Sequence, residues 1–251
     1  MPAPYPPVHY CIYCGVPEQL AGPQGLTDEH IIPYAFGGEE ILPNSSCCFC
    51  SDETHAFEGK MAGKMLEMPR AHFHWKSRKR KRPKTLKAWT QSRGYYNVKI
   101  ADHPGTMAFP CFEPPGILTG LPPPKDGTMQ LTNINFAWEP DFLKKLQEVG
   151  GTIQPFDIAC IARTVAKIAH AFSVAEHGRL GFEPTLPRII LGTDDRYSHF
   201  VGNPPISSGE ATDTLHTLSS QWLNDILLVK VGLYSRFGIT PYWVVSGLRK
   251  P

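Results

Sequence analysis

The sequence predicts an α+β protein in three parts: a cysteine-rich module over residues 1–70, a basic segment over 71–93, and an α+β domain over 94–251. Three observations carry that division. Five of the seven cysteines fall in the first fifty residues, residues 76–87 hold eight basic side chains and no acid, and the chain from 94 onward mixes strand-like and helix-like patterns. The 25 prolines in 251 residues, twice the usual ~5%, favour short elements joined by loops over long bundles.

Taken in order, His9 to Tyr13 reads as a short strand running into a Cys-Gly turn, and Glu29 to Tyr34 as a strand that ends with Pro33. Gly37 and Gly38 mark a turn. A helix is predicted from Asp52, an N-cap residue type, to Met68 ahead of Pro69. Gly94–Ile100 and Thr128–Trp138 read as strands, the second after an Asp126-Gly127 turn. The clearest helix runs from Asp157 to His177, where Ile158, Ile161, Val165, Ile168, Phe172 and Ala175 form one apolar stripe between Pro155 and Gly178. A further helix is predicted over Leu215–Val231 and a last strand over Tyr242–Val245. On the long helix, Arg163, Lys167 and His170 share a polar stripe that reads as a solvated face, and Asp194-Asp195 reads as a loop.

The cysteines carry the most specific signal. Cys11-x-x-Cys14 and Cys47-x-x-Cys50 each point two thiolates at one centre, and two such turns complete the four-sulfur tetrahedron of a structural Zn2+ site. Cys48 is a surplus thiol that can exchange with Cys47, although the two-residue gap favours Cys47; Cys111 and Cys160 stand alone. Clustered cysteines suit metal ligation in a reducing compartment. With no signal-like N-terminus and no apolar run of about 18 residues, a cytoplasmic chain without a membrane span is expected.

Between the pairs stands Thr27-Asp28-Glu29-His30-Ile31-Ile32-Pro33, then Gly37-Gly38, then Asn44 fourteen positions after His30 and His55 twenty-five after it. This combination resembles the HNH, or ββα-metal, endonucleases, in particular the subset held by two Cys-x-x-Cys pairs; the resemblance covers roughly residues 9–60. It implies a zinc-bound ββα-metal module that hydrolyses DNA with one divalent cation, Mg2+ or Mn2+, leaving 5′-phosphate and 3′-hydroxyl ends. By that resemblance His30 is the general base, Asn44 orients its loop, and Glu29 and His55 hold the catalytic metal. The chemistry suits the residue types: a neutral imidazole takes the proton of water, and a hard cation neutralises the phosphate and leaving oxygen. The sequence departs from the family pattern in having Glu where Asp is usual, with Asp28 as the substitute ligand. Ser51 stands where many relatives carry their last ligand, and Glu58 falls one turn beyond His55.

The basic segment fits a phosphate backbone. Lys76, Arg78, Lys79, Arg80, Lys81, Arg82 and Lys84 are the expected DNA contacts, and Trp75 and Trp89 flank them as stacking candidates. A flexible, solvated linker is the plainer alternative for this run. The expected function is therefore metal-dependent DNA endonuclease. Its rival is a non-catalytic zinc module that binds nucleic acid, in which Glu29, His30 and His55 do no chemistry.

Overall fold

A computed structural model describes residues 5–73, 83–122, 127–138, 141–151, 156–205 and 209–250. Strand β1 (Leu26–His30) pairs antiparallel with β2 (Ile41–Cys47), with Glu29 opposite Leu42, His30 opposite Ile41, and a bulge between Thr27 and Glu29. Helix α1 (Cys48–Lys60) follows β2 directly and continues through a π-helical turn, Met61–Met65, into α2 (Glu67–His72). The order is hairpin then helix.

Several local expectations shift here. His9–Tyr13 is not a strand. Only Tyr10 forms a bridge, to Pro17, and the chain turns back with the Gly15 N–H donating to the Cys11 carbonyl at 2.8 Å. An extended strand advances about 3.3 Å per residue and could not aim Cys11 and Cys14 at one point. The strand expected at Glu29–Tyr34 lies earlier, because Pro33 introduces a 3₁₀ turn at Tyr34–Phe36. At the Gly37-Gly38 turn, a Cβ on Gly38 would come within 2.0 Å of the Ile32 carbonyl oxygen, so only glycine fits. Helix α1 begins at Cys48 rather than Asp52, with Cys47 at its N-cap. Starting there puts Cys50 on the first turn, on the side of Cys47.

The remaining described chain forms two hairpins, one sheet and one long helix. Strands β3 (Thr85–Thr90) and β4 (Gly94–Lys99) pair, as do β5 (Thr106–Phe112) and β6 (Leu131–Trp138), with short α3 (Gly116–Thr119) between the latter. Helix α4 (Phe142–Val149) precedes α5 (Ile158–His177). After β7 (Glu183–Pro184), α6 (Pro187–Ile190), α7 (Tyr197–Phe200) and β8 (Val201–Gly202) come β9 (Thr217–Leu223), β10 (Ile226–Gly232) and β11 (Tyr242–Leu248). The sheet runs β7-β11-β10-β9, and β8 also pairs with β11.

The helix predicted over Leu215–Val231 is this β9–β10 hairpin. Leu223 pairs with Ile226 across Asn224-Asp225, and Asn224 takes φ +53°, the left-handed conformation a two-residue turn requires. Alternating exposure along Thr217–Leu223 is a two-residue period, and the apolar run after it is a buried central strand.

Helix α5 forms where expected. Asp157 accepts the Cys160 N–H at 3.0 Å as N-cap, and Gly178 ends it at φ +66°. It is the one described helix long and apolar enough to cross a membrane, but 78% of its most apolar window is buried inside the protein. The solvated stripe expected on it is absent: Lys167 is 0% exposed and His170 1%. The helix packs on α1 along one side and on β10 and β11 along the other, so its polar residues meet protein in place of water. One cluster of buried side chains runs from Cys11 through Phe57 and Met61 of the α1 region, Ile161 and Val165 of α5, to Val229 and Val244 of the sheet.

Candidate metal centre and adjoining cavity

The turn at Cys11–Gly15 and the β2–α1 junction bring Cys11, Cys14, Cys47 and Cys50 together, with all four sulfurs within 4.8 Å of one another. Cys14 Sγ and Cys47 Sγ are 3.8 Å apart. A tetrahedron with Zn–S bonds of about 2.3 Å has edges of about 3.8 Å. Cys48, half-buried, is not one of the four, as the spacing favours. The neighbouring Cys50 thiol, together with backbone amides of the turn, holds the Cys11 thiol down at about 4, a thiolate at neutral pH. Burial and that same thiolate push Cys14 up to about 11, and the Cys11 contact and burial push Cys50 well above its ordinary value. Four sulfurs this close repel as thiolates, and a bound cation removes the conflict. The donor set can hold a metal ion such as zinc.

Next to Cys50 in sequence, Ser51 lines a cavity of about 500 Å³ formed by the end of β1, α1, the π-helical turn and Arg70 of α2. Asp28, Glu29 and His30 reach it from β1, Ser51, His55 and Glu58 from α1, and Arg70 from α2. His30 is half-buried, with its ring 5.6 Å from that of Tyr34. His55 is exposed, its Nδ1 3.4 Å from the Ser51 hydroxyl. Asn44 does not line the cavity. It sits on β2 at φ +47°, and its backbone N–H donates to Asp28 Oδ1 at 3.1 Å.

Glu29 faces inward. Its Oε1 is 2.7 Å from the ammonium of Lys167, which is also 3.0 Å from Glu58 Oε1 and donates to the backbone carbonyl of His30. Burial alone would push the Lys167 ammonium down, but the Glu29 and Glu58 carboxylates outweigh it and hold the ammonium above its ordinary value. The hydroxyl of Tyr13, also buried, is pushed well up by burial and by the charges of the same two carboxylates. Three residues further along α5, the Nε2–H of His170 donates to the Ile12 carbonyl of the cysteine turn at 2.7 Å, and burial holds this histidine neutral, down at about 4.

Glu29 and His55, expected to hold a hard cation, line the same cavity, with one carboxylate oxygen of Glu29 on the Lys167 ammonium; among the described residues the cysteines are the group that converges as metal ligands. No family model, curated protein or solved structure matches the chain. The reading of the cavity rests on its own residues. Of the expected DNA contacts, Lys84 is exposed just ahead of β3; Lys76, Arg78, Lys79, Arg80, Lys81 and Arg82, with Trp75, lie outside the described residues, as do Asp126 and Pro155. Sequence reasoning missed Lys167 and Arg70. No local pattern marks Lys167, because its place beside Arg163 and His170 on one stripe reads equally well as a solvated face.

Proposed function

We propose that this chain hydrolyses phosphodiester bonds of DNA at the cavity beside the cysteine centre, with His30 as general base. The observation that carries this reading is the convergence of His30 and His55, with Asp28, Ser51 and Arg70, on one open cavity of about 500 Å³ beside a four-sulfur centre. A half-exposed imidazole on the wall can take the proton of an attacking water. The guanidinium of Arg70, whose Nη1 also donates to the Ala62 carbonyl at 3.1 Å, offers a positive charge to the phosphate. The backbone at His30 is held by Lys167, so its ring starts from a fixed strand end. Zinc at the four cysteines acts as a staple and takes no part in the reaction. No step is assigned to Mg2+ or Mn2+, since Glu29 is committed to Lys167; the resemblance to HNH endonucleases nevertheless makes a divalent requirement worth reading directly.

That commitment also favours a second reading, a zinc module that binds DNA without cutting it. Plasmid cleavage separates the two. Zinc-loaded protein with and without magnesium or manganese should nick or linearise supercoiled DNA, and His30→Ala should slow this about 10²–10⁴-fold with DNA affinity and zinc content retained. Folded, zinc-loaded protein that binds the plasmid and cuts it under none of these conditions supports the non-catalytic reading.

A further inference from the structure

The hairpin β3–β4 presents a second surface. Its register sets Thr85 opposite Lys99, Lys87 opposite Asn97, and Trp89 opposite Tyr95. These six alternate with buried Leu86, Ala88 and Val98, so they stand together on the outer face, and all six are exposed. Trp89 is 46% exposed and Tyr95 72%, unusual for two large rings placed side by side. Directly opposed residues of an antiparallel pair have Cβ atoms about 4.5–5.5 Å apart, so the two rings rise from neighbouring points of one face. Lysines flank them on both strands, and none of these six residues is acidic. In sequence, the basic run of residues 76–87 leads straight into it. A recess beyond Lys99 holds Asp102, Asp141 and Glu148, offset there by Arg93, Lys144 and Lys145.

We propose that this face binds single-stranded DNA, with bases stacked on Trp89 and Tyr95 and phosphates met by Lys87 and Lys99. The charge pattern selects a polyanion. The paired rings select one whose flat apolar faces are open, which excludes an intact duplex, where each base is already covered by its neighbours. The proposal draws on the nuclease reading only for the choice of DNA over RNA.

The test is fluorescence anisotropy with a labelled twelve-residue oligo-dT and a twelve-base-pair duplex, using full-length zinc-loaded His30→Ala protein without added divalent metal, over a range of salt. Trp89→Ala and Tyr95→Ala should each weaken oligo-dT binding about 5- to 150-fold, the worth of one stacked base, without changing the salt dependence. Lys87→Gln and Lys99→Gln should each lower the slope of log affinity against log salt by about 0.7. Duplex binding should change less than about twofold in the two aromatic variants, because a covered base has no face to lose. Trp89→Phe and Tyr95→Phe keep a ring and should retain most of the affinity, which separates stacking from any cost to the fold. The proposal is overturned if the alanine variants bind oligo-dT as the parent does, if duplex binding falls equally, or if oligo-rU of the same length is preferred. It is also overturned if the rings prove to be covered by a second copy, seen as concentration-dependent dimers that Trp89→Ala abolishes. Because binding is read without cleavage, the result stands whether or not the chain cuts DNA.

Discussion

Two clusters of charge-bearing donors lie side by side in the N-terminal module, and they solve the same electrostatic problem in opposite ways. Cys11, Cys14, Cys47 and Cys50 converge on a point with no cation of their own. Glu29 and Glu58 converge on Lys167, supplied by a helix more than a hundred residues away. The first cluster is local, open to an ion from outside, and incomplete without it. The second is non-local and carries its own cation, one ammonium shared by two carboxylates. One α5 helix supports both, through His170 on the cysteine turn and Lys167 on the end of β1. The comparison teaches that donor types in a sequence do not by themselves say whether a site recruits its cation or carries it.

The largest effect should come from emptying the local cluster. Structural zinc in small modules is worth about 10–16 kcal/mol. Chelation, or Cys14→Ser, should therefore collapse the module, seen as loss of about one zinc per chain by elemental analysis and a large fall in melting temperature. Cys111→Ser and Cys160→Ser should leave the zinc content unchanged, since neither sulfur belongs to the group. A metal-free protein with its N-terminal fold intact would break the contrast at once.

Next comes the internal cation. Lys167→Met leaves two buried carboxylates facing each other, and removing one partner of a buried ion pair costs about 3–5 kcal/mol. Denaturant unfolding should show that loss. Adding Glu29→Gln and Glu58→Gln to the same chain removes the uncompensated charge and should recover most of it. If Lys167→Met is as stable as the parent, the ammonium is not what holds the two carboxylates in place.

These two clusters also differ in how much of them the sequence displays. The cysteine pairs are readable because their geometry is short-range: a two-residue gap fixes where both sulfurs go. The core stripe of α5 is readable for the same reason, as is the short strand at Tyr242. Lys167 is not, because nothing within a few turns distinguishes a lysine bound for water from one bound for Glu29. The β9–β10 hairpin was open to misreading as a helix because the apolar run of β10 shows no alternation, and the decisive signal is the Asn224-Asp225 turn. Asn44 keeps its place fourteen residues from His30, yet it reaches Asp28 through its backbone and does not face the cavity, a distinction that spacing does not encode.

A smaller, graded effect tests a third tie between the module and the sheet. His216 accepts the Tyr234 N–H at Nδ1, 3.2 Å, and donates from Nε2 to the Phe36 carbonyl, 3.0 Å, so both ring nitrogens are engaged in the neutral form. Burial holds it down at about 4, below the ordinary histidine value. A depressed histidine means the unfolded chain binds the extra proton first, so stability is full above about pH 6.5 and falls as pH drops towards 4. The loss should approach about 1.4 kcal/mol per pH unit within that window. His216→Gln should flatten the stability-against-pH curve by this amount relative to the parent. Identical curves would mean the histidine titrates alike in both states.

The smallest effect expected is none, and it sharpens the contrast most. If Lys167 keeps its hold on Glu29, that carboxylate contributes little to a cation arriving in the cavity. Glu29→Gln is close in shape and leaves Glu58 on the ammonium, so zinc-loaded Glu29→Gln protein should bind Mn2+ within about twofold of the parent, as read by electron paramagnetic resonance of free manganese. His55→Ala and Asp28→Ala remove cavity donors that carry no internal ammonium, and any manganese held there should respond to them. A tenfold weakening in Glu29→Gln would mean that Lys167 gives way when a divalent cation arrives. The two clusters would then be alike, and Glu29 would regain the ligand role that the resemblance to HNH endonucleases assigns it. Because manganese binding is measured without DNA, this outcome is independent of whether the chain cleaves.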